Sequence, residues 1–345
     1  MSLMEPSASS IWKTGTLPQL SEVLAHSVVV QIPMRVKFRG VHFRQTMLFE
    51  GESGWGEFAP FLEYPPEEAA YWLSSALESA WLGFPEPIHS TIPVNSTLPA
   101  VDAGQVPAVL GRYQGKIREV KIKVAERGQS LAEDIARVSA VHRYAPDARL
   151  KVDANGGWSM NEAFEAIQRL EEFDVLYVEQ PVQSVDEMAS LHAKLREQGV
   201  GTLIAADESV RKAQDPLQVA ERGAADVLIL KAAPLGGVRR ALEVCEQAGL
   251  PVVVSSALES SVGIRSGIAL AASLPELPFG CGLGTVSLMS SDVTRDSLCA
   301  RDGVIPVCDV EVDKALVSSL SVDEDVRRWW HERVRRCYRV LEERL

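Results

Sequence analysis

Short apolar segments alternate with amphipathic stretches through the middle of the chain, between about residues 90 and 290. The segments are nearly continuous runs of Val, Ile and Leu, which is typical of strands that are covered on both faces. Between them, stripes such as Phe164, Ile167 and Leu170 predict helices. Eight strand–helix units in about 200 residues favour a closed parallel barrel over an open sheet. The predicted strands are 91–95, 119–124, 149–155, 174–180, 202–208, 226–231, 251–256 and 279–284.

The two flanks have a different pattern. Residues 1–90 combine alternating strand-like segments with one helical stretch, which predicts a separate α+β domain. We place the barrel at 91–298 and a further segment at 299–345. That segment ends in a basic helix, whose charges we interpret as a solvated face and whose Trp329, Trp330 and Tyr338 we expect to pack onto the body of the protein.

Charge and composition narrow the class of partner. The net charge is −12, so we expect neither nucleic acid nor an anionic membrane surface as a partner. The five cysteines show no CxxC spacing, and no stretch reaches the ~18 apolar residues of a membrane span. The first residues lack a basic segment followed by an apolar one, so we expect a cytoplasmic protein. Oligomeric state is left open.

Acidic residues end three consecutive predicted strands, as Asp153, Glu179 and Asp207. The carboxyl ends of barrel strands form the active-site face, so these carboxylates converge there. Without a cation, their proximity would raise their pKa values strongly. Oxygen ligands of this kind suit Mg²⁺, with Mn²⁺ as a substitute. Each residue alone could merely cap a helix, but three in succession favour a metal site.

Lysines complete the polar set. Lys121 and Lys123 share one face of strand 119–124, and Lys231, four strands later, faces them across the ring. A partly desolvated lysine beside another cation has a lowered pKa and can act as a base, so we expect Lys121 either to depress the pKa of Lys123 or to hold substrate negative charge. Two solvated lysines on an edge strand would fit a barrel poorly. A metal with opposed lysines predicts proton abstraction next to a carboxylate, and no histidine ends a predicted strand to offer another base.

Five motifs in order, "KIK", "VDANG", "VEQP", "ADES" and "LKAAPLGG", resemble the muconate-lactonising-enzyme subgroup of the enolase superfamily. "GWGEFAPF" (54–61) is similar to the motif of that superfamily's capping domain. The resemblance implies an α/β fold, a (β/α)7β TIM-like barrel with an α+β capping domain formed by the N-terminal region and the C-terminal segment. "FRG" (38–40), "SSALESSVG" (255–263) and "GLGTVSLMSSDV" (282–293) resemble the o-succinylbenzoate synthase family within the subgroup.

This resemblance implies a lyase of menaquinone biosynthesis that acts on a small-molecule carboxylate. The expected reaction is the Mg²⁺-dependent dehydration of 2-succinyl-6-hydroxy-2,4-cyclohexadiene-1-carboxylate. Lys123 would take the α-proton and then protonate the departing hydroxide in a syn elimination, while Lys231 would stabilise the anion. The implied contacts to the succinyl carboxylate are Ser255 and the backbone near Gly282 and Leu283, with Arg39 closing the pocket from the capping domain. The residues expected to support the metal ligands are Asn155, Gln180 and Glu208.

Three alternatives remain. Racemisation of N-succinylamino acids needs the same lysines and metal ligands, and its substrate also ends in a succinyl carboxylate. A dipeptide epimerase is disfavoured, because the eighth strand reads "GLGT" where such enzymes show an Asp-x-Asp pattern. A non-catalytic barrel would require a lysine or a ligand to be replaced, and none is.

Overall fold

The computed structural model describes Trp12 and residues 17–38, 41–212 and 217–345. Within this part of the chain it has twelve strands and thirteen helices. The strands are β1 (Ser27–Phe38), β2 (Val41–Gly51), β3 (Gly54–Phe58), β4 (Thr91–Pro93), β5 (Ser96–Leu98), β6 (Glu119–Lys123), β7 (Arg149–Asp153), β8 (Tyr177–Glu179), β9 (Leu203–Ala206), β10 (Val227–Leu230), β11 (Val252–Val254) and β12 (Val304–Pro306). The helices are α1 (Leu20–Ala25), α2 (Pro66–Leu77), α3 (Val106–Leu110), α4 (Leu131–Tyr144), α5 (Met160–Leu170), α6 (Val185–Glu197), α7 (Glu208–Lys212), α8 (Gln218–Glu221), α9 (Ala232–Leu235), α10 (Val238–Ala248), α11 (Ser261–Ser273), α12 (Lys314–Ser319) and α13 (Glu324–Glu343).

The capping domain is built around an antiparallel sheet in the order β1-β2-β3. The last helix, α13, packs on this sheet. Its Trp330 is fully buried, lies edge to face on Phe58 with ring centroids 5.8 Å apart, and donates from Nε1 to Gln45 Oε1 over 3.2 Å. Tyr338 is also buried, as predicted, whereas Trp329 is 42% exposed. The chain therefore returns at its C-terminal end to the domain that its N-terminal region begins, as the sequence predicts.

A seven-stranded parallel sheet in the order β5 to β11 forms the barrel. The segment around Cys281 joins its two edges. Cys281 N donates to Pro93 O over 2.7 Å and Cys281 O accepts from Asn95 N over 3.0 Å, while Gly282 N donates to Val254 O over 2.8 Å. These bonds close the ring, so the predicted barrel is confirmed.

Two predicted strands differ in the structure. The predicted strand 91–95 covers β4, which pairs with β12, whereas the first strand of the barrel sheet is β5, which follows it and pairs with β6. Segment 279–284 contributes single bridges at Cys281 and Gly282 rather than a paired strand. Its glycines allow this close approach, because a Cβ on Gly282 would lie 2.7 Å from Ser255 Oγ. The predicted domain boundaries after residues 90 and 298 stay predictions.

Helices α4, α5 and α6 cover the outside of the sheet and are fixed by their first turns. Each begins after a serine whose side chain accepts from the backbone of a glutamate three residues on, and the glutamate bonds back to the serine. This reciprocal cap satisfies backbone donors that a helix N-terminus otherwise leaves free. No helix in the described residues is long and apolar enough to cross a membrane.

Candidate active site

Lys121 and Lys123 lie on β6, where the parallel register sets each against acidic groups on the next strands. Lys121 Nζ is 2.6 Å from Glu179 Oε1 and 2.8 Å from Asp153 Oδ2. Lys123 Nζ is 2.5 Å from Asp153 Oδ2 and 2.6 Å from Asn155 Oδ1. The like-charge pair that the sequence shows is therefore neutralised by carboxylates of neighbouring strands.

The three predicted metal ligands lie at the carboxyl ends of consecutive strands. Lys123, Asp153 and Glu179 are aligned across β6, β7 and β8 by the strand register, and Asp207 directly follows β9. All three carboxylates are buried. Lys231, which follows β10, donates to Asp207 Oδ1. The structure thus brings the catalytic and metal-ligating candidates to one end of the barrel.

The electrostatics of this end follow from burial and close pairing. Burial and the neighbouring Asp153 raise the pKa of Glu179 to about 7. Burial opposes ionisation of Asp153, but Lys121 and Lys123 outweigh it and hold the pKa of that carboxyl well below its usual range. Burial likewise disfavours the charge on Lys121, yet Asp153 and Glu179 raise its pKa well above the ordinary value. The two carboxylates therefore hold Lys121 in its charged form.

Backbone geometry and amide groups support the carboxylates. Asn155 has φ 46°, a left-handed conformation that Asn tolerates, and its N–H donates to Asp153 Oδ1 over 2.9 Å. Its Nδ2 donates to Glu208 Oε1 over 3.4 Å. Gln180, with φ 39°, accepts at Oε1 from Asp207 N over 3.1 Å and donates from Nε2 to Ser209 Oγ over 2.7 Å. Asn155 therefore bonds to Asp153, Gln180 bonds to the backbone of Asp207, and Glu208 accepts from Asn155.

A cavity of about 720 Å³, including its open mouth, lies above these groups. Ser255 and Gly282 line it, and the side chain of Leu283, whose backbone was the predicted contact, packs in the barrel core. Arg39 lies outside the described residues. The lining residues are Phe61, Asn95, Thr97, Tyr113, Lys121, Lys123, Asp153, Asp207, Lys231, Ser255, Ser256, Ala257, Leu258, Gly282, Gly284, Thr285 and Leu288.

Several of these residues are not identifiable from the sequence pattern. Tyr113 stands after the short helix α3, and its hydroxyl accepts from Thr97 N and donates to Thr97 O, each over 2.8 Å. Phe61 belongs to the capping domain and is the last residue of the "GWGEFAPF" motif. The motif marks the loop that holds Phe61, whereas nothing in the sequence around Tyr113 indicates its place in the cavity.

The donor set fits a hard divalent cation in its chemistry. In the present arrangement Lys121 bridges Asp153 and Glu179, and no group of three acidic, histidine or cysteine side chains in the described residues is placed to hold a metal. However, Glu179 Oε2 is buried and has no hydrogen-bond partner among the described residues. A buried carboxylate oxygen without a partner is costly, and three carboxylates on adjacent strand ends are the oxygen donors that Mg²⁺ prefers.

Comparison with known proteins shows the family to which the chain belongs. Residues 106–311 match the family described as enolase C-terminal domain-like, and residues 29–80 match the enolase N-terminal domain-like family. The chain is 48% identical to an o-succinylbenzoate synthase of Mycolicibacterium smegmatis, over 95% of this chain and 100% of that protein. It is 47% identical to an o-succinylbenzoate synthase of Thermobifida fusca, over 85% of this chain and 90% of that protein.

Solved structures show the same fold. Muconate lactonizing enzyme from Pseudomonas fluorescens, complexed with muconolactone, superposes with a TM-score of 0.73 at 19% identity, over 86% of this chain and 98% of that one. N-succinyl Arg/Lys racemase from Bacillus cereus superposes with a TM-score of 0.70 at 18% identity, over 86% and 97%. The chain therefore belongs to the enolase superfamily, in its muconate-lactonising-enzyme subgroup and close to the o-succinylbenzoate synthases.

Proposed function

We propose that this protein is a lyase that dehydrates 2-succinyl-6-hydroxy-2,4-cyclohexadiene-1-carboxylate to o-succinylbenzoate, a step of menaquinone biosynthesis. The observation that carries the proposal is that Lys121, Lys123 and Lys231 line one cavity with Asp153 and Asp207. The relatives that support the substrate are o-succinylbenzoate synthases that match nearly the full chain at 46–48% identity.

Lys123 is the proposed acid and base. As a neutral amine it takes the proton from the carbon next to the substrate carboxylate. The carbon–oxygen bond of the ring hydroxyl then breaks, the new double bond completes the aromatic ring, and Lys123 returns its proton to the departing hydroxide as water. Proton removal and return from one group require both events on the same face, so the elimination is syn.

Lys231 and Lys121 supply charge. The strand order places β10 four strands from β6, which is the opposite side of an eight-membered ring. Lys231 is buried, so its ammonium acts on the developing anion in a medium of low dielectric. Lys121 is held protonated by Asp153 and Glu179 and adds a fixed positive charge beside the base.

Asp153, Glu179 and Asp207 would hold Mg²⁺, or Mn²⁺ in its place, and the cation would supply positive charge to the substrate carboxylate as it becomes more negative. Asn155, Gln180 and Glu208 keep these carboxylates oriented through the contacts described above. We assign the distal succinyl carboxylate to Ser255 and the backbone at Gly282 and Leu283.

The direct test is turnover by the purified protein with the cyclohexadiene substrate and Mg²⁺, followed by absorbance of the aromatic product. We expect o-succinylbenzoate to form, activity to disappear with EDTA, and excess Mg²⁺ to restore it. Absence of product, in an assay in which the Mycolicibacterium smegmatis relative is active, would overturn the proposal.

A second candidate is racemisation of N-succinylamino acids. It is supported by the placement of Lys123 and Lys231 on opposite sides of one cavity, because racemisation needs a proton removed on one face and delivered on the other. In D₂O this activity would introduce deuterium at Cα from both enantiomers. A lack of exchange from either enantiomer would reject it without affecting the dehydration.

A further inference from the structure

Arg44 joins the capping domain to the wall of the cavity. It lies on β2, is 4% exposed, and directs its guanidinium away from solvent. Nε donates to Leu258 O over 3.0 Å, and Nη2 donates to Ala59 O and, over 3.5 Å, to Ala257 O. The same guanidinium lies 4.3 Å from the centre of the Phe61 ring. One side chain thus holds a loop of the capping domain and a loop of the barrel together.

Both loops contribute to the cavity. Phe61, Ala257 and Leu258 line it together with the lysines of the barrel. Leu258 has φ 68°, a backbone conformation that costs energy in a branched residue and persists only where neighbours hold it. Its carbonyl is the acceptor of Arg44 Nε, so the strained residue and the arginine contact coincide.

Glu57 fixes the other end of the same barrel loop. This residue of β3 is 5% exposed, and its carboxylate accepts from Ser260 N, from Ser260 Oγ and, over 2.8 Å, from Gly263 N at the start of α11. A Cβ on Gly263 would lie 2.9 Å from Glu57 Oε2, so the glycine is needed for this approach. The segment from Ala257 to Ser260 is therefore held from the capping domain at both ends.

Glu78 offers a matched joint that does not reach the cavity. It also belongs to the capping region and is fully buried, and it accepts from Val238 N over 2.6 Å and Arg239 N over 3.2 Å at the start of α10. None of these residues lines the cavity described above. Glu57 and Glu78 thus each accept hydrogen bonds from backbone N–H groups at the start of a barrel helix, and only Glu57 does so next to the cavity.

We propose that Arg44, with Glu57, is a positioning residue that sets the substrate-facing wall of the cavity from the capping domain. It holds residues 257–260 and Phe61 in register with the lysines and does not touch the substrate. The kinetic part of this inference rests on the proposed dehydration. The guanidinium's three-acceptor geometry is the essential property, so a lysine at position 44 keeps the charge and loses the function.

The test compares Arg44→Lys and Glu57→Gln with the control Glu78→Gln, all assayed well below their melting temperatures. We expect the first two to lower kcat/KM by about 10- to 100-fold, since small displacements of a binding site cost rates of this order. KM should rise more than kcat falls, because the wall binds substrate while the lysines keep their places. Glu78→Gln should stay within about twofold of the wild type, although it also loses stability.

Hydrogen exchange supplies a readout that does not depend on the reaction. In Arg44→Lys and Glu57→Gln, amides of residues 257–263 should exchange faster than in the wild type, while those of 238–240 should not. Glu78→Gln should give the reverse. If the wild type forms no product, the proposed dehydration fails and exchange alone decides this inference. Unchanged exchange at 257–263 in both variants overturns it, and so do kinetic constants within twofold of the wild type in an active enzyme.

Discussion

At the scale of single residues, the sharpest consequence concerns Lys123. Lys123→Ala should lower kcat by about 10²–10⁴-fold, because it removes the group that we propose takes and returns the proton. The melting temperature should be kept because Lys121 still pairs with Asp153 over 2.8 Å, and Mg²⁺ affinity should be kept because Asp153, Glu179 and Asp207 are unchanged. The measurement is o-succinylbenzoate formation together with thermal unfolding. Lys116→Ala, at an exposed lysine five residues before Lys121, is the control and should leave kcat unchanged.

A second prediction at this scale concerns the glycines of the segment that closes the ring. Gly282→Ala should destabilise the protein by about 1–3 kcal/mol, because the added Cβ would lie 2.7 Å from Ser255 Oγ. An atom added to a tightly packed site forces its neighbours into strained positions. Gly284→Ala is the control, since its Cβ would lie 3.7 Å from the nearest atom, Asn95 O. Urea denaturation of both variants measures the difference. Equal stabilities would contradict the role assigned to Gly282.

The residues also show what the sequence can and cannot predict. The common location of three acidic residues was predictable, because all strands of a parallel barrel end on the same side. These residues are Asp153, Glu179 and Asp207. The pairing of Lys121 with two of them was not predictable, since it depends on strand register and side-chain conformation. Arg44 gave no signal, because an arginine within an alternating strand has the pattern of an exposed residue.

At the scale of elements, the long apolar strands and a closed barrel were predictable, but the contacts that close the ring were not. β6 to β11 follow the Val/Ile/Leu runs, whereas β5, the first strand of the barrel sheet, lies just after the predicted strand 91–95. Besides the backbone bonds at Cys281 and Gly282, two buried side chains hold the eighth position of the ring. Lys151 Nζ donates to Gly280 O over 2.5 Å, and Glu119 Oε2 accepts from Gly280 N over 2.8 Å. No strand pattern can report such a contact, because the partners are 129 and 161 residues apart.

This closure gives an element-scale prediction. Lys151→Met should lower the free energy of unfolding by about 3–5 kcal/mol, because Lys151 and Glu119 are both buried and Glu119 would lose its interior partner at 3.0 Å. Arg149 is the other partner of Glu119, and its side chain is 52% exposed. Arg149→Ala should therefore lower the free energy of unfolding by only about 0–1 kcal/mol. Guanidinium denaturation distinguishes the two. A larger loss for Arg149→Ala would refute the assignment of Lys151.

At the scale of the whole molecule, capping domain and barrel meet across a buried charged cluster of Arg44, Glu57 and Glu259. Glu259 is 6% exposed and accepts from Ala257 N over 2.7 Å. Burial, with the charge of Glu57 in second place, raises the pKa of Glu259 to about 7 against an ordinary value of 4.5. Burial also raises the pKa of Glu57, and it lowers that of Arg44. Ionisation of the interface is therefore coupled to folding.

The sign of that coupling sets the last prediction. A carboxyl whose pKa is higher in the folded state binds its proton more tightly there, so its stability contribution is complete below pH 4.5 and is lost as pH rises to about 7. Glu259→Gln removes this loss. The stability of the wild type relative to Glu259→Gln should therefore fall between about pH 4.5 and 7 and then level off. Glu276→Gln, at an exposed glutamate, serves as the control and should show a difference independent of pH. Urea denaturation across this pH range measures the free energy of unfolding of each variant. If the wild type becomes more stable relative to Glu259→Gln as the pH rises, ionisation of Glu259 does not destabilise the folded protein and the prediction is wrong.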